Sequence, residues 1–280
     1  MPVNDRGIGL AGKVFSGTPR DSLHMIDVVY SQDGGQRPDV IVSDAGAYSD
    51  LVFGLVHLLD MEYRPALADL PDHKGWRIKP EGGYGALDTF ARGLIDLNKI
   101  RSRWEEILRV VVSIHTGAIR AYDVVTILQR EGRLSPLGEA IASYGRIFKT
   151  LHILAAVTEE SYRRDIKGLR NLQEERHGLA EKIFHGKKGE LYHRYHRGME
   201  TQLSSLGMIL NCVTLWNTRY LDAALGQLRA QGYPIRDEDV ARLSPFVHAH
   251  LNMTGTYSFV LPDLAGGLRP LRDEDDNELA

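Results

Sequence analysis

Residues 39–44 read DVIVSD, and this stretch decides the fold class of the first part of the chain. Its β-branched run is too short for a helix and apolar enough for a buried central strand. Segments with helical spacing of apolar residues flank it at 23–30 and 51–59. Shorter apolar runs at 10–16 and near 76–78 predict two further strands. This alternation of strands and helices predicts an α/β arrangement within residues 1–80.

Helical patterns dominate the rest of the chain. The predicted helices cover residues 87–119, 122–131, 135–154, 159–172, 200–230 and 237–243. The helix predicted at 200–230 is long and amphipathic, and its apolar stripe consists of Leu203, Leu206, Leu210, Val213, Tyr220, Ala224 and Leu228. The predicted fold class is therefore α/β plus all-α, with a polar, acidic tail at 272–277.

The composition of the chain excludes several classes of protein. Its 280 residues are 43% hydrophobic, which excludes a disulfide-held mini-protein and a disordered chain. A single cysteine, Cys212, excludes a disulfide framework and a Cys-rich zinc site. The sequence shows neither a signal peptide nor an apolar run of the roughly 18 to 20 residues that span a membrane. We therefore expect a soluble, cytoplasmic protein without a membrane partner.

A basic segment lies within this mildly acidic chain. Residues 163–197 hold ten Lys or Arg and five acidic residues, a local balance of +5 in a chain whose net charge is −3. Such a segment can follow a phosphate backbone, and the glycines of the turn at 185–189 (HGKKG) let backbone N–H groups approach an anion. The alternative is a solvated helical face. The predicted DNA contacts are Arg170, Arg176, His177, His185, Lys187, Lys188, Arg194 and Arg197.

Two positions could supply carboxylate ligands. Asp44 follows the most apolar strand, at the strand end where open α/β sheets bind ligands. The alternative for Asp44 is a turn residue that bonds its own backbone. Glu174 and Glu175 lie among arginines, so each is either an ion-pair partner or a cation ligand. Carboxylates from remote parts of a chain can hold Mg²⁺ for phosphoryl transfer.

Five short runs resemble the catalytic region of Tn3-family transposases. They are GTPRDSL at 17–23, VSDAGAYSD at 42–50, FHGKKGEL at 184–191, LWNTRY at 215–220 and DEDVARLSP at 237–245. The resemblance covers nearly the whole chain, in order. It implies an RNase H-like fold whose Asp-Asp-Glu triad holds two Mg²⁺ (or Mn²⁺) ions. It also implies cleavage of double-stranded DNA at transposon ends and transfer of the 3′-hydroxyls to target DNA.

The resemblance also assigns residues to that triad. Asp44 occupies the position of the family's second Asp, and Glu174 best matches the Glu of a Gly-Glu-x-Arg-His pattern. Gln173 replaces the Gly of that pattern, so Glu175 stays open as the alternative. Neither Asp5, Asp21 nor Asp27 has the context of the family's first Asp. Two ions are therefore expected only if that Asp is supplied from elsewhere.

These matches predict a carboxy-terminal part of the catalytic region, a partial RNase H-like fold without its first strands. The expected parts are a partial core at 1–80, a helical insertion at 81–160, a basic segment with the catalytic Glu at 161–198, and a helical region with an acidic tail at 199–280. We expect little strand transfer by the isolated chain and a homodimer for the full-length protein. The alternatives are an inactive DNA-binding remnant that interferes with an intact transposase, and a helical scaffold with an incidental basic face.

Overall fold

The computed structural model describes residues 2–10, 12–14, 22–30, 37–45, 49–80, 82–130, 132–190 and 196–256. The chain forms two compact units. The strand unit is Phe15–Leu172, and the terminal unit combines Met1–Val14 with Gln173–Ala280. The acidic tail, Asp21 and most of the motif at 17–23 lie outside the described residues.

The described elements of the strand unit are short strands and longer helices. They are α1 (Ser22–Tyr30), β1 (Val40–Ser43), α2 (Asp50–Leu58), β2 (Glu62–Pro65), β3 (Trp76–Arg77), β4 (Gly93–Leu94), α3 (Leu97–Ser102), α4 (Trp104–His115), α5 (Ala121–Leu128), β5 (Gln129–Arg130), β6 (Arg133–Leu134), α6 (Pro136–Thr158) and the first half of α7 (Glu160–Ile183). Two 3₁₀ turns, Leu70–Asp72 and Gly85–Thr89, lie between β2 and β4.

The strand predicted at 39–44 is confirmed as β1, and the flanking helices are confirmed as α1 and α2. β1 pairs in parallel with β2, in a register that sets Val40 opposite Glu62 and Ser43 opposite Pro65. The carboxyl ends of both strands therefore lie side by side. The β-branched residues of β1 and the crossover through α2 account for this parallel pair.

Two parts of the sequence-based layout are wrong. The pattern at 87–119 is not one helix, because it contains the end of a 3₁₀ turn, β4, α3 and α4. β4 pairs in parallel with β3, and a Cβ at Gly93 would overlap the ring of Trp76, so the close approach requires glycine there. Of the strand predicted at 10–16, residues 12–14 have no regular secondary structure.

The core of the strand unit is built around α2, which is buried almost throughout its length. Its apolar side chains include Phe53, Leu55 and Val56, each completely buried. α2 packs against α6, where a Cβ at Gly145 would overlap the carbonyl oxygen of Asp50. The missing side chain at this crossing lets the two backbones approach closely enough to exclude water.

The terminal unit consists mainly of helices, and its N-terminal segment contributes an isolated β-bridge between Val3 and Gly9. It contains the second half of α7, a 3₁₀ turn (Gly186–Gly189), α8 (His196–Ala230) and α9 (Asp237–Val240). The amphipathic helix predicted at 200–230 is confirmed as α8, which begins four residues earlier. Leu206 and Leu210 of the predicted stripe are buried, whereas Leu228 near the helix end is exposed.

The described chain is mostly helical and has few short strands, which agrees with α/β plus helical structure. The strands of the described ranges form three separate two-stranded sheets. Within those ranges, no helix is both long and apolar enough to cross a membrane.

Candidate active site

Asp44 lies directly after the last residue of β1, and its side chain is 72% exposed. Arg170, on the first half of α7, donates a hydrogen bond from Nη2 to Asp44 Oδ1 over 2.8 Å. The ion pair joins two segments of the strand unit that are 126 residues apart in sequence. The carboxylate is thus held at the carboxyl end of a parallel strand pair, where it faces solvent and a cation partner.

Short hydrogen bonds hold the two strand ends together beneath Asp44. The Tyr63 hydroxyl lies 2.8 Å from the Ser43 hydroxyl, one residue before Asp44. The backbone N–H of Ala66 donates to the carbonyl oxygen of Ser43 over 2.8 Å, which extends the pairing past Pro65. Because Tyr63 is completely buried, the strand ends are anchored from the core side.

A buried histidine from α6 also contacts this edge, and sequence analysis missed it. His152, 4% exposed, has Nε2 2.9 Å from the carbonyl oxygen of Pro65 and Nδ1 2.9 Å from the Tyr162 hydroxyl of α7. Burial lowers the pKa of His152 to about 4, so the ring is neutral at pH 7. In the sequence, His152 falls at a position of the predicted helix that should be buried. This pattern predicts burial of the side chain, but it does not predict the contact with Pro65.

Two charged side chains complete the surroundings of Tyr162. Arg64 donates to Glu62 over 2.5 Å, and its guanidinium carbon lies 4.6 Å from the centre of the Tyr162 ring. The hydrogen bond from Arg64 lowers the pKa of Glu62, while burial raises the pKa of the Tyr162 hydroxyl. Glu62 therefore stays ionised and Tyr162 stays protonated near neutral pH.

The two candidate glutamates of α7 differ in their contacts within the terminal unit. The Ser244 hydroxyl donates to Glu175 Oε2, so this carboxylate is engaged with the loop after α9. Glu174 is exposed, and it has no hydrogen-bond or ion-pair partner in the part of the chain that the structure describes. Of the two, Glu174 is the carboxylate available for a ligand.

Arg176 differs from its predicted role as a DNA contact, because it is only 2% exposed. Its guanidinium donates to the carbonyl oxygen of Gly7 over 3.1 Å and to Asn211 Oδ1 over 2.8 Å, inside the terminal unit. Asn211 in turn bonds the backbone of Gly9, so the arginine ties the N-terminal segment to α7 and α8. Burial lowers the pKa of the Arg176 guanidinium. The side chain therefore stabilises the terminal unit instead of contacting DNA.

The other predicted DNA contacts have varied surroundings. His177 is exposed, and its Nε2 lies 3.6 Å from Oε1 of Glu181, one helical turn further along α7. His185 and Arg197 are exposed. Lys187 and Lys188 belong to the 3₁₀ turn Gly186–Gly189, but their side chains and all of Arg194 lie outside the described structure.

Gly189 closes that turn with φ of +80°, and a Cβ there would press on Glu181 of α7. A glycine is thus required where the turn packs on the helix.

The described residues contain no group of three potential metal ligands. Asp44 and Glu174 are nonetheless exposed carboxylates, the ligand type that Mg²⁺ and Mn²⁺ prefer. Asp44 belongs to the strand unit and Glu174 to the terminal unit. Asp27, one of the upstream acids, is used elsewhere, because its buried carboxylate accepts hydrogen bonds from the N–H groups of Ala121 and Tyr122 at the start of α5.

Relatives among known proteins match nearly the whole chain. The family model of the Tn3 transposase DDE domain matches residues 1–257. The chain is 61% identical over 272 residues to the transposase for transposon Tn4556 of Streptomyces fradiae, which covers 97% of this chain and 30% of that protein.

Two further relatives extend the range of organisms. Identity is 42% over 280 residues to the transposase for transposon gamma-delta of Escherichia coli strain K12, with 99% of this chain and 28% of that protein covered. It is 32% over 262 residues to the transposase for transposon Tn1546 of Enterococcus faecium, with 93% and 26% covered. The chain therefore spans less than a third of the length of these relatives.

Proposed function

The chain belongs to the Tn3 transposase family, and we propose that it forms part of a domain that cleaves DNA and transfers the resulting 3′-hydroxyl with divalent metal ions. The observation that carries this proposal is the position of Asp44. An exposed carboxylate at the carboxyl end of a parallel strand pair lies where such sheets bind ligands. The pair β1–α2–β2 is also compatible with a partial RNase H-like core, which we propose for residues 1–80.

Asp44 and Glu174 are the proposed ligands of Mg²⁺ or Mn²⁺. When bound, the metal supplies activation of water or a 3′-hydroxyl and stabilises negative charge on the phosphate. Asp44 is free to exchange its partner, because an exposed ion pair such as that with Arg170 contributes only about 0–1 kcal/mol. With Asp44 on a metal, the Arg170 guanidinium would be available beside that ligand to bind a phosphate oxygen.

The proposed DNA contacts are Arg170, His177, His185, Lys187, Lys188, Arg194 and Arg197. Arg176 is left out, since its guanidinium is buried and occupied by protein oxygens. The proposed partner is double-stranded DNA at transposon ends and targets. We also propose a homodimer for the longer transposase.

The test is cleavage and joining of transposon-end DNA with Mg²⁺ or Mn²⁺ by a longer transposase of the family that carries these 280 residues, because little activity is expected of the isolated chain. Asp44→Asn and Glu174→Gln should each lower the rate of cleavage more than about 100-fold. Loss of a residue that only hydrogen-bonds a metal ligand costs about 10- to 100-fold, and loss of the ligand itself should cost more. Matched controls are Asp60→Asn, at an exposed position whose positive φ suits Asn, and Glu175→Gln on the same helix. Equal losses in the controls, or cleavage in excess EDTA, would contradict the proposal.

A second candidate function is DNA binding without cleavage, with interference through mixed complexes with an intact transposase. The use of Asp27 as a helix cap favours it, because this upstream carboxylate is occupied by backbone N–H groups. Fluorescence anisotropy with labelled DNA, at several salt concentrations and with EDTA, tests this candidate. Salt-sensitive binding in EDTA, together with no cleavage in metal, would support it over the first.

A further inference from the structure

Helix α7 is attached to the carboxyl ends of β1 and β2 at two points. Arg170 contacts Asp44 after β1, and Tyr162 contacts His152, which contacts Pro65 at the end of β2. The two α7 residues are eight positions apart, or about 12 Å along a helix axis. Because Ser43 and Pro65 are paired, both attachments reach the same edge of the strand pair.

The hydrogen bonds at this edge determine where the proton of His152 lies. The carbonyl oxygen of Pro65 can only accept, so the imidazole donates to it from Nε2. The unprotonated Nδ1 then accepts from the hydroxyl of Tyr162 over 2.9 Å, a much shorter contact than the 3.4 Å between the same hydroxyl and Glu62 Oε1. Each bond has a single possible direction when the ring is neutral, and burial keeps it neutral.

We infer that His152 and Tyr162 are positioning residues, which fix α7 against the carboxyl ends of β1 and β2 so that Arg170 meets Asp44. This inference rests on the proposed function, because the placement of Asp44 matters for catalysis only if Asp44 is a metal ligand. Two directional bonds in series define the position of a helix more closely than apolar packing does. The contact of Arg64 with the Tyr162 ring further limits the orientation of the phenol.

The first test measures the distance between α7 and the segment after β2, without DNA or metal. Spin labels are placed at Lys167→Cys and Ala68→Cys, both exposed positions, in a Cys212→Ser background that removes the only native thiol. Pulsed electron–electron double resonance should give a narrow distribution of the distance between the two labels in this parent protein. Tyr162→Phe and His152→Leu should broaden the distribution at least about twofold.

Two control variants separate positioning from general stability. His152→Gln should keep the narrow distribution, because its amide can donate to Pro65 and accept from Tyr162. Tyr144→Phe removes a hydroxyl from α6 while keeping the ring packed near Trp104 and Phe148, so it should also leave the distribution unchanged. An unchanged distribution in folded Tyr162→Phe would overturn the inference.

A second measurement remains decisive if His152→Leu fails to fold. Long-range ¹H–¹⁵N spectra of the ¹⁵N-enriched parent, without spin labels, should show His152 protonated on Nε2 alone at pH 7. A proton on Nδ1 would overturn the inference.

In the longer transposase that carries these 280 residues, Tyr162→Phe should lower kcat about tenfold and change KM less than twofold. An unchanged kcat would also refute the role in positioning. If Asp44→Asn and Glu174→Gln leave cleavage by the longer transposase unchanged, the proposed function fails while the distance and tautomer measurements still decide the positioning of α7.

Discussion

Lowering the pH should destabilise the strand unit through His152. The imidazole is 4% exposed, and burial lowers its pKa from 6.5 to about 4. Between these two values the unfolded chain binds a proton that the folded chain excludes. Stability from this group is therefore complete above pH 6.5 and is lost as the pH falls toward 4.

The size of the effect follows from the difference between the two pKa values. At about 1.36 kcal/mol per pKa unit, full protonation of His152 in the unfolded state lowers the free energy of unfolding by about 3 kcal/mol. Between pH 7 and pH 5 the loss from His152 alone is about 2 kcal/mol. Burial also lowers the pKa of His57, which adds a loss in the same direction. A variant comparison is needed to isolate His152.

The assay is urea unfolding at several pH values in a Trp216→Phe background. The remaining tryptophans, Trp76 and Trp104, both belong to the strand unit, so their fluorescence follows that unit. His152→Gln keeps hydrogen-bonding groups but does not titrate, and it should lose about 2 kcal/mol less than the parent between pH 7 and pH 5. Parallel pH profiles for the two proteins would refute the reasoning.

Four further substitutions test helix packing and hydrogen bonding. Gly145→Ala should destabilise the strand unit by about 3 kcal/mol in urea unfolding, since the added Cβ overlaps the Asp50 carbonyl oxygen. Gly168→Ala should instead stabilise α7 by about 0.5–1 kcal/mol, because its Cβ meets open space. Asn217→Ala removes the donor of two 2.8 Å bonds to the loop after α9, so it should cost about 2 kcal/mol and speed amide exchange there. Asp27→Ala should cost about 1–2 kcal/mol in thermal unfolding, because it leaves the N–H groups at the start of α5 unpaired; no loss would contradict this capping role.

Sequence patterns were sufficient where one segment carries its own signal. The β-branched run at 40–43 predicted β1, and the apolar spacing at 51–59 and 200–230 predicted α2 and α8. These patterns are local, because strand and helix periodicity depend on which neighbouring residues must be buried. The ordered motifs likewise indicated the family that the comparisons confirm.

The strand predicted near 76–78 is present as β3, whereas β2 and β4 were not predicted, because the signal for each lies in the strand that it pairs with. β2 has only four residues and ends in Pro65, which favoured a break, although a strand end tolerates proline. β4 contains Gly93, and only the ring of Trp76 explains why a glycine pairs there. Neither segment carries a periodicity that distinguishes it from a loop or a helix.

The sequence by itself determined the principal local elements, the family and the two candidate carboxylates. Tertiary structure decided which side chains surround them: Arg170 meets Asp44 from 126 residues away, and His152 meets the strand end from α6. It also decided that Arg176 is buried while Glu174, two residues earlier on the same helix, is exposed. The physical reason is that backbone hydrogen bonding is encoded locally, whereas burial and side-chain partners arise only when distant segments pack together.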